Sequence, residues 1–275
     1  MDETLAIIGA GNMAGAILAG VLDTGLLPAS AILITNRSHG KLEPLGARWA
    51  VRTSYDNAQA AAWAETLLVA VKPGDMRAAL VPLRGQVAGK LIISVAAGIG
   101  IAQIQGWLDD PAQPVVRVMP NTPAQIGAGM SAWAASPQVT AAHRVTVARL
   151  LGALGREIAM ADESLLDQVT AVSGSGPAYL FYLAEQLIES AQQIGLSADE
   201  SRELVLQTIW GAAKMLREGA ATPDALRRAV TSKGGTTEAA LAAFAEGDLP
   251  GVIARGVHAA YQRGGEIRRR LALEP

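Results

Sequence analysis

The chain of 275 residues contains no cysteine and only three histidines. Without cysteine it can form neither a disulfide nor a catalytic thiolate. The histidines, His39, His143 and His258, do not have the spacing of a metal-ligand motif, so we expect no metal site.

The sequence also lacks a long apolar run and a strong charge of either sign. No apolar stretch approaches the ~18–20 residues that cross a membrane, and the first residues, Met1, Asp2 and Glu3, are acidic where a secretion signal is basic. The formal net charge of −2 offers no basic surface for nucleic acid. We therefore expect a cytoplasmic protein without a membrane or nucleic-acid partner, and its 50% of hydrophobic residues indicate an ample core.

The segment TLAIIGAGNMAGA, from Thr4 to Ala16, predicts a strand, a glycine turn and a helix from Asn12 to Asp23. This order is typical of the opening of a dinucleotide-binding βαβ unit. Gly9 permits the turn, Gly11 lets a pyrophosphate approach the backbone, and the N–H groups of the helix start face that anion. A purely structural turn is the alternative.

The turn after the second predicted strand, at residues 31–35, indicates which cofactor binds. In this place an NAD enzyme carries an acid that binds the ribose 2′-hydroxyl. This chain has Asn36, Arg37 and Ser38 instead, and a guanidinium between two small hydrogen-bonding side chains suits a 2′-phosphate. We predict NADPH as the cofactor, with NADH as the alternative. A merely solvated arginine is the other interpretation of Arg37.

The first half continues as alternating strands and helices. Strands are predicted near residues 49–52 and at 66–71, 91–95, 115–119, 130–134 and 157–160. The run at 66–71 is apolar throughout, which is typical of a strand buried on both faces. Lys72 follows it directly, and ligands of open α/β sheets bind at such strand ends. Lys72 is therefore a candidate cofactor contact, unless it is a solvated loop residue.

After residue 160 the pattern predicts helices only, interrupted at residues 173–177. Ser197 and Glu200 have the spacing of a capping box. Several of these helices are apolar over much of their circumference, and such helices are normally buried on more than one side. We predict an α/β protein with a Rossmann domain over residues 1–161 and an all-α dimerisation and substrate domain over 162–275. A closed single-chain bundle is the alternative to the dimer.

Two loops rich in glycine and hydroxyl residues precede predicted helices: SGSGPAY from Ser173 and TSKGGTTEA from Thr231. Amides at a helix start have no intrahelical acceptor and can bind a carboxylate, although ordinary helix capping is the alternative. The helical half contains only two lysines and one histidine, few candidates for the firm acid/base that a hydroxy acid dehydrogenase needs. An imine can enter already protonated. The residues therefore favour reduction of a C=N bond, with Thr237 holding the proton.

The chain resembles the pyrroline-5-carboxylate reductase family in seven blocks that cover both halves. They are IGAGNMA at Ile8, NRS at Asn36, AVKP at Ala70, SVAAGI at Ser94, RVMPNTP at Arg117, VTAVSGSGPAY at Val169 and VTSKGGTTEAAL at Val230. The last two are specific to the family, whereas the glycine motif is not. Lys233 stands where the usual family loop has proline.

The resemblance implies NAD(P)H-dependent reduction of 1-pyrroline-5-carboxylate to L-proline, the final step of proline biosynthesis, by a homodimer that can assemble further. It implies cofactor contacts from Ile8, Gly9, Ala10, Gly11, Asn12, Met13, Asn36, Arg37, Ser38, Asn57, Ala70, Val71, Lys72, Pro73 and Ala97. It implies a substrate site lined by Glu163, Val230, Ser232, Gly235, Thr236 and Thr237, with Thr237 as the proton donor. The alternatives are a reductase of another small imine or β-hydroxy acid, and an NADP-binding sensor without catalysis.

Overall fold

The structure is a computed structural model that describes residues 3–273. Contacts within the chain divide them into two compact units, residues 3–175 with 260–273 and residues 176–259. The last strand ends at Ala159, next to the domain boundary predicted at residue 161. That boundary, as a division of functions, stays a prediction.

The first unit is built on one eight-stranded sheet. Its strands are β1 (Leu5–Ile8), β2 (Ile32–Thr35), β3 (Arg52–Ser54), β4 (Thr66–Val69), β5 (Leu91–Ser94), β6 (Val115–Met119), β7 (Gly129–Ala135) and β8 (Gly155–Ala159). They lie in the order β3-β2-β1-β4-β5-β6-β7-β8, and every neighbouring pair is parallel except β6 and β7. The predicted α/β fold is confirmed.

Helices cover both faces of this sheet. They are α1 (Asn12–Asp23), α2 (His39–Trp49), α3 (Asn57–Trp63), α4 (Met76–Leu80), α5 (Ile101–Leu108), α6 (Ala141–Gly152) and α7 (Leu165–Val169). Successive side chains of a strand point to opposite faces, so Leu5 and Ile7 of β1 pack in one core with Ile17 of α1. Ala6 and Ile8 pack in the core on the other face. Burial on both faces explains why β1 is apolar throughout and β4 is apolar at all its positions after Thr66.

The strand order places a crevice beside β1. β1 pairs with β2 on one side and with β4 on the other, so the connections that leave the carboxyl ends of β1 and β4 run in opposite directions along the sheet. There the Gly9 N–H donates to the Thr35 carbonyl at 2.8 Å and the Ala70 N–H donates to the Ile8 carbonyl at 2.8 Å. The glycine turn therefore lies between the loops that follow β2 and β4.

The predicted start of the third strand is wrong. The third strand begins at Arg52 rather than near residue 49, because α2 continues to Trp49 and ends in a left-handed residue, Ala50 (φ 52°). The sixth helix begins at Ala141, because Thr140 caps it and accepts the His143 N–H at 3.2 Å.

The predicted interruption at residues 173–177 is not a loop. A π-helical turn at Thr170–Gly174 connects α7 to α8 (Gly176–Gln193) almost continuously, and the Ser175 N–H donates to the Thr170 carbonyl at 2.8 Å. Gly174 does not interrupt the helical path of the chain; it allows close packing instead. A Cβ there would lie 2.5 Å from Cε of Met119, at the end of β6.

The second unit is entirely helical, as predicted. It contains α8, α9 (Ala198–Glu218), α10 (Pro223–Ala229), α11 (Thr236–Glu246) and the beginning of α12 (Leu249–Leu273). The predicted capping box of α9 is confirmed, with Ser197 and Glu200 each accepting the other's N–H. Within residues 176–259 only Ser201 is buried. The apolar side chains of these helices are therefore not covered by the unit itself.

Candidate functional site

A cleft of about 460 Å³ opens in the first unit next to the glycine turn. Fourteen of the described residues line it: Ile8, Gly9, Asn36, Arg37, Ser38, Tyr55, Asp56, Asn57, Ala58, Val71, Asp75, Ala78, Ala79 and Pro82. Seven of the predicted cofactor residues are among them, namely Ile8, Gly9, Asn36, Arg37, Ser38, Asn57 and Val71. The others, Ala10, Gly11, Asn12, Met13, Ala70, Lys72, Pro73 and Ala97, lie in the segments that follow β1, β4 and β5 and do not line this cleft. Their role stays a prediction.

The glycine turn has the geometry that a pyrophosphate requires. Gly9 has a φ of +109°, and a Cβ there would lie 2.6 Å from the Ala70 carbonyl oxygen, so only glycine fits. The Cβ position of Gly11 has no atom within 4 Å, which leaves open space before α1. Gly11 is the N-cap of α1 and provides no side-chain cap. The first-turn amides of α1 therefore remain available to an anion.

The turn after β2 presents a cation to the cleft. Asn36 Nδ2 donates to the Ser38 carbonyl at 2.9 Å and to Ser38 Oγ at 3.1 Å, which shapes the turn. The Arg37 side chain is 87% exposed, and its Nη1 lies 3.6 Å from Oδ1 of Asp75. This distance allows an ion pair but exceeds a hydrogen bond. A ligand phosphate can therefore reach most of the guanidinium donors.

The loop after β3 provides polar groups that hold the cleft in shape. Asn57 Oδ1 accepts the hydroxyl of Thr35, a buried residue, at 2.7 Å. Asp56 caps α3 by accepting the Ala58 N–H at 2.8 Å. Tyr55 donates to Glu43 at 3.4 Å. Partial desolvation, followed by the neighbouring Glu43 carboxylate, raises the pKa of Tyr55 above its usual value of 10.0, so the phenol is protonated at neutral pH.

The other lining residues, among them Tyr55, Asp56 and Asp75, were not predicted from the sequence. Tyr55 and Asp56 directly follow the carboxyl end of β3, and Asp75 lies in the loop after β4, at the edge where ligands of open α/β sheets bind. Their position after these strands is the sequence signal from which they could have been predicted as lining residues.

The loop TSKGGTT in the second unit leads into α11. Gly234 has a φ of +72°, and a Cβ at Gly235 would clash with Ser232 Oγ. The Gly234 N–H donates to Glu238 Oε2 at 2.7 Å and the Gly235 N–H donates to the Ser232 carbonyl at 3.0 Å. For the amides of Thr236 and Thr237 the described residues provide no acceptor. These two amides can therefore bind an oxyanion.

Three other predicted substrate residues lie in or beside this same loop. Val230 and Ser232 are exposed and Gly235 is the N-cap of α11. Thr237 is half-buried and Thr236 is exposed. The hydroxyls predicted to act on a substrate are therefore next to the two available amides.

Glu163, the remaining predicted substrate residue, belongs to the first unit. Its Oε1 accepts the N–H of Ile101, the first residue of α5, at 2.9 Å and Arg117 Nη1 at 3.2 Å. Arg117 also donates to Asp167 at 3.2 Å, and Asp167 pairs with Arg268 of α12 at 3.2 Å. The structure thus gives Glu163 a place in an ion-pair network, and its role toward a substrate stays a prediction.

Within residues 3–273, no helix has the length and apolarity needed to span a membrane. In the same range no three His, Asp or Glu side chains are grouped so as to hold a metal ion.

Two family models match the chain. Residues 163–267 match pyrroline-5-carboxylate reductase dimerisation, and residues 4–98 match NADP oxidoreductase coenzyme F420-dependent. The pyrroline-5-carboxylate reductase of Pseudomonas aeruginosa is 40% identical over 271 residues, which are 97% of each chain.

Solved structures give the same relationship. A pyrroline-5-carboxylate reductase from Coxiella burnetii is 34% identical with a TM-score of 0.92, and the match covers 97% of this chain and 99% of that one. Pyrroline carboxylate reductase from Plasmodium falciparum, solved with NADP bound, is 25% identical with a TM-score of 0.88, covering 97% of this chain and 98% of that one.

Proposed function

The chain belongs to the pyrroline-5-carboxylate reductase family, and we infer from this that it reduces 1-pyrroline-5-carboxylate to L-proline with NADPH, the final step of proline biosynthesis. The observation that carries this inference is the 40% identity to the Pseudomonas aeruginosa enzyme over 97% of both chains. The predicted family membership is confirmed.

The cleft of the first unit is the proposed cofactor site. Gly9 to Met13 would hold the pyrophosphate, because the turn has no side chain at Gly9 or Gly11 and precedes the open amides of α1. Arg37 and Ser38 would hold the 2′-phosphate, while Ile8, Asn36, Asn57, Ala70 to Pro73 and Ala97 would complete the contacts. When bound, NADPH supplies the hydride.

The loop before α11 is the proposed substrate site. The amides and hydroxyls of Thr236 and Thr237 would bind the substrate carboxylate, with Val230, Ser232 and Gly235 lining the same site. The family pattern implies that Glu163 also contributes to substrate binding. The C=N carbon accepts the hydride and the ring nitrogen keeps a proton, which the Thr237 hydroxyl holds in place or relays.

The test of this function is the oxidation of NADPH on addition of 1-pyrroline-5-carboxylate, with NADH in a parallel reaction. We expect NADPH consumption matched by formation of L-proline. Tight binding of NADPH without turnover would contradict the proposal and would favour another imine, a β-hydroxy acid or a sensor.

We expect Thr237→Ala to lower kcat by about a hundredfold, the lower end of the range for a positioned proton donor, and to leave NADPH affinity unchanged. Thr208→Ala is the matched control, because Thr208 is an exposed residue of α9 whose hydroxyl donates to the Leu204 carbonyl of the same helix. Loss of NADPH affinity with unchanged turnover per bound cofactor would show that Thr237 has a different role.

Self-association follows from the match of residues 163–267 to the dimerisation model. We propose that the assembly is a homodimer formed through the helices of residues 162–275, that dimers can assemble further, and that residues 1–161 form the cofactor domain. We propose the cytoplasm as the location, which suits a small-molecule reductase that uses NADPH. The exposed apolar side chains of α8 and α9 support the homodimer.

A further inference from the structure

We propose that Asp75 sets the preference between NADPH and NADH by opposing the 2′-phosphate that Arg37 would bind. This inference rests on the proposed role of Arg37. Asp75 has no place among the predicted site residues, and the carboxylate acts on the discrimination between the two cofactors rather than on the reaction.

Asp75 and Arg37 line the same cleft from different loops. Asp75 is the last residue of the 3₁₀ turn Pro73–Asp75, and its N–H donates to the Lys72 carbonyl at 2.9 Å. This short turn fixes the backbone of Asp75. Its Oδ1 lies 3.6 Å from Nη1 of Arg37, so a phosphate on that guanidinium would approach the carboxylate closely.

Among the side chains that the structure describes, the charged groups that line the cleft are one cation and two carboxylates: Arg37, Asp56 and Asp75. Their formal sum is negative, which is unfavourable for an anionic ligand. The Asp56 carboxylate already serves as the cap of α3, because its Oδ1 accepts the Ala58 N–H. Asp75 is therefore the carboxylate that faces Arg37 and the phosphate site.

Asp75 has two opposite effects on a phosphate. It can hold the guanidinium ready, and it can repel the ligand. The first effect is small, because the Arg37 and Asp75 side chains are 87% and 44% exposed and are not hydrogen-bonded, and exposed ion pairs contribute little. The second effect grows with the ligand charge, which for a phosphate monoester is about −1.5 to −2 at pH 7. Repulsion therefore outweighs orientation.

NADH escapes this repulsion. Its 2′-hydroxyl is uncharged, so the Asp75 carboxylate does not repel it. Asp75 thus weakens NADPH binding and leaves NADH binding nearly unchanged. Coulomb's law for a dianion about 7 Å from a carboxylate at the surface gives a factor of roughly three to ten in affinity.

The experiment compares dissociation constants of NADPH and NADH for the full chain and for Asp75→Asn, measured by fluorescence titration so that turnover is not needed. We expect the preference for NADPH to rise roughly three- to tenfold at an ionic strength of about 0.01 M. The gain shrinks at about 1 M, where the Debye length is only about 3 Å. A purely structural effect would not depend on salt.

Two further variants separate the possible failures. Asp23→Asn removes the same charge from the exposed end of α1, outside the cleft, and should leave the preference unchanged. Arg37→Ala tests the phosphate site itself and should weaken NADPH binding more than NADH binding. If Arg37→Ala has this effect while Asp75→Asn leaves the preference unchanged or lowers it, the role of Asp75 is overturned. If Arg37→Ala affects both cofactors equally, the proposed phosphate site is wrong.

Discussion

Arg117 is a charged residue inside an otherwise apolar strand. Its side chain is only 4% exposed and lies between Glu163 and Asp167, each at 3.2 Å. Removing a cation from water costs several kcal/mol, so a buried arginine requires such partners. The network connects β6 with α7, and through Asp167 with Arg268 of α12. These side chains are therefore important for holding the first unit together.

We expect Asp167→Asn to lower the free energy of unfolding by about 3 kcal/mol, because it leaves the buried charge of Arg117 with one partner fewer. Chemical denaturation at one protein concentration measures this change. Asp224→Asn is the control, since Asp224 forms exposed pairs with Arg227 and Arg228 whose loss costs less than about 1 kcal/mol. Equal losses for the two variants would show that the buried network does not stabilise the fold.

At the scale of elements, the stability that the capping box gives to the start of α9 depends on pH. Glu200 Oε2 accepts the Ser197 hydroxyl at 2.6 Å and the Ser197 N–H at 2.9 Å. The hydroxyl, followed by the backbone amide, lowers the pKa of Glu200 below its usual value of 4.5. A lowered carboxyl pKa stabilises the folded chain above the unfolded pKa, and that stabilisation is lost as the pH falls through the folded value.

We expect Ser197→Ala to cost about 1 kcal/mol of stability at neutral pH, as is usual for the loss of an N-cap. The difference from the unmodified chain should shrink as the pH falls through the lowered pKa of Glu200, because protonated Glu200 no longer attracts the Ser197 hydroxyl. Urea denaturation between neutral and acidic pH tests both statements. A difference that stays constant down to acid pH would mean that the glutamate half of the capping box contributes nothing.

At the scale of the whole molecule, the helical unit is incomplete within one chain. Apolar side chains of α8 are open to solvent, among them Phe181 at 67% and Tyr182 at 65% exposure. Contiguous apolar surface of this kind marks interaction sites. The family model that matches this region describes dimerisation. We therefore expect a second copy of the chain to bury these apolar side chains.

We expect Phe181→Glu to raise the dissociation constant of the dimer by about thirtyfold or more, the effect of losing an aromatic hot spot. Sedimentation velocity over a concentration series measures it. Gln192→Glu, an exposed position near the end of α8, adds the same charge and should leave association unchanged. An unaltered dimer in the Phe181 variant would place the interface on another face of the helices.

The elements whose causes are local were predictable from the sequence. α1 runs from Asn12 to Asp23 as expected, because a strand of apolar residues, a glycine turn and a helical period follow one another within a few residues. The cleft is lined by Gly9, Arg37 and Asn57 for a related reason. Each follows a strand of a parallel sheet, and the carboxyl ends of such strands meet at one edge.

Contacts between distant segments were not predictable, because no local rule states which strands become neighbours. The ion pairs of Arg117 and Arg268 with Asp167, the approach of Asp75 to Arg37 and the packing of Gly174 on Met119 all depend on the order of strands and on where α7 and α12 pack. Chain chemistry within a few residues therefore specifies the cofactor turn and the helix starts. The sheet order, by bringing remote charges together, specifies the buried ion network and the charge balance of the cofactor cleft.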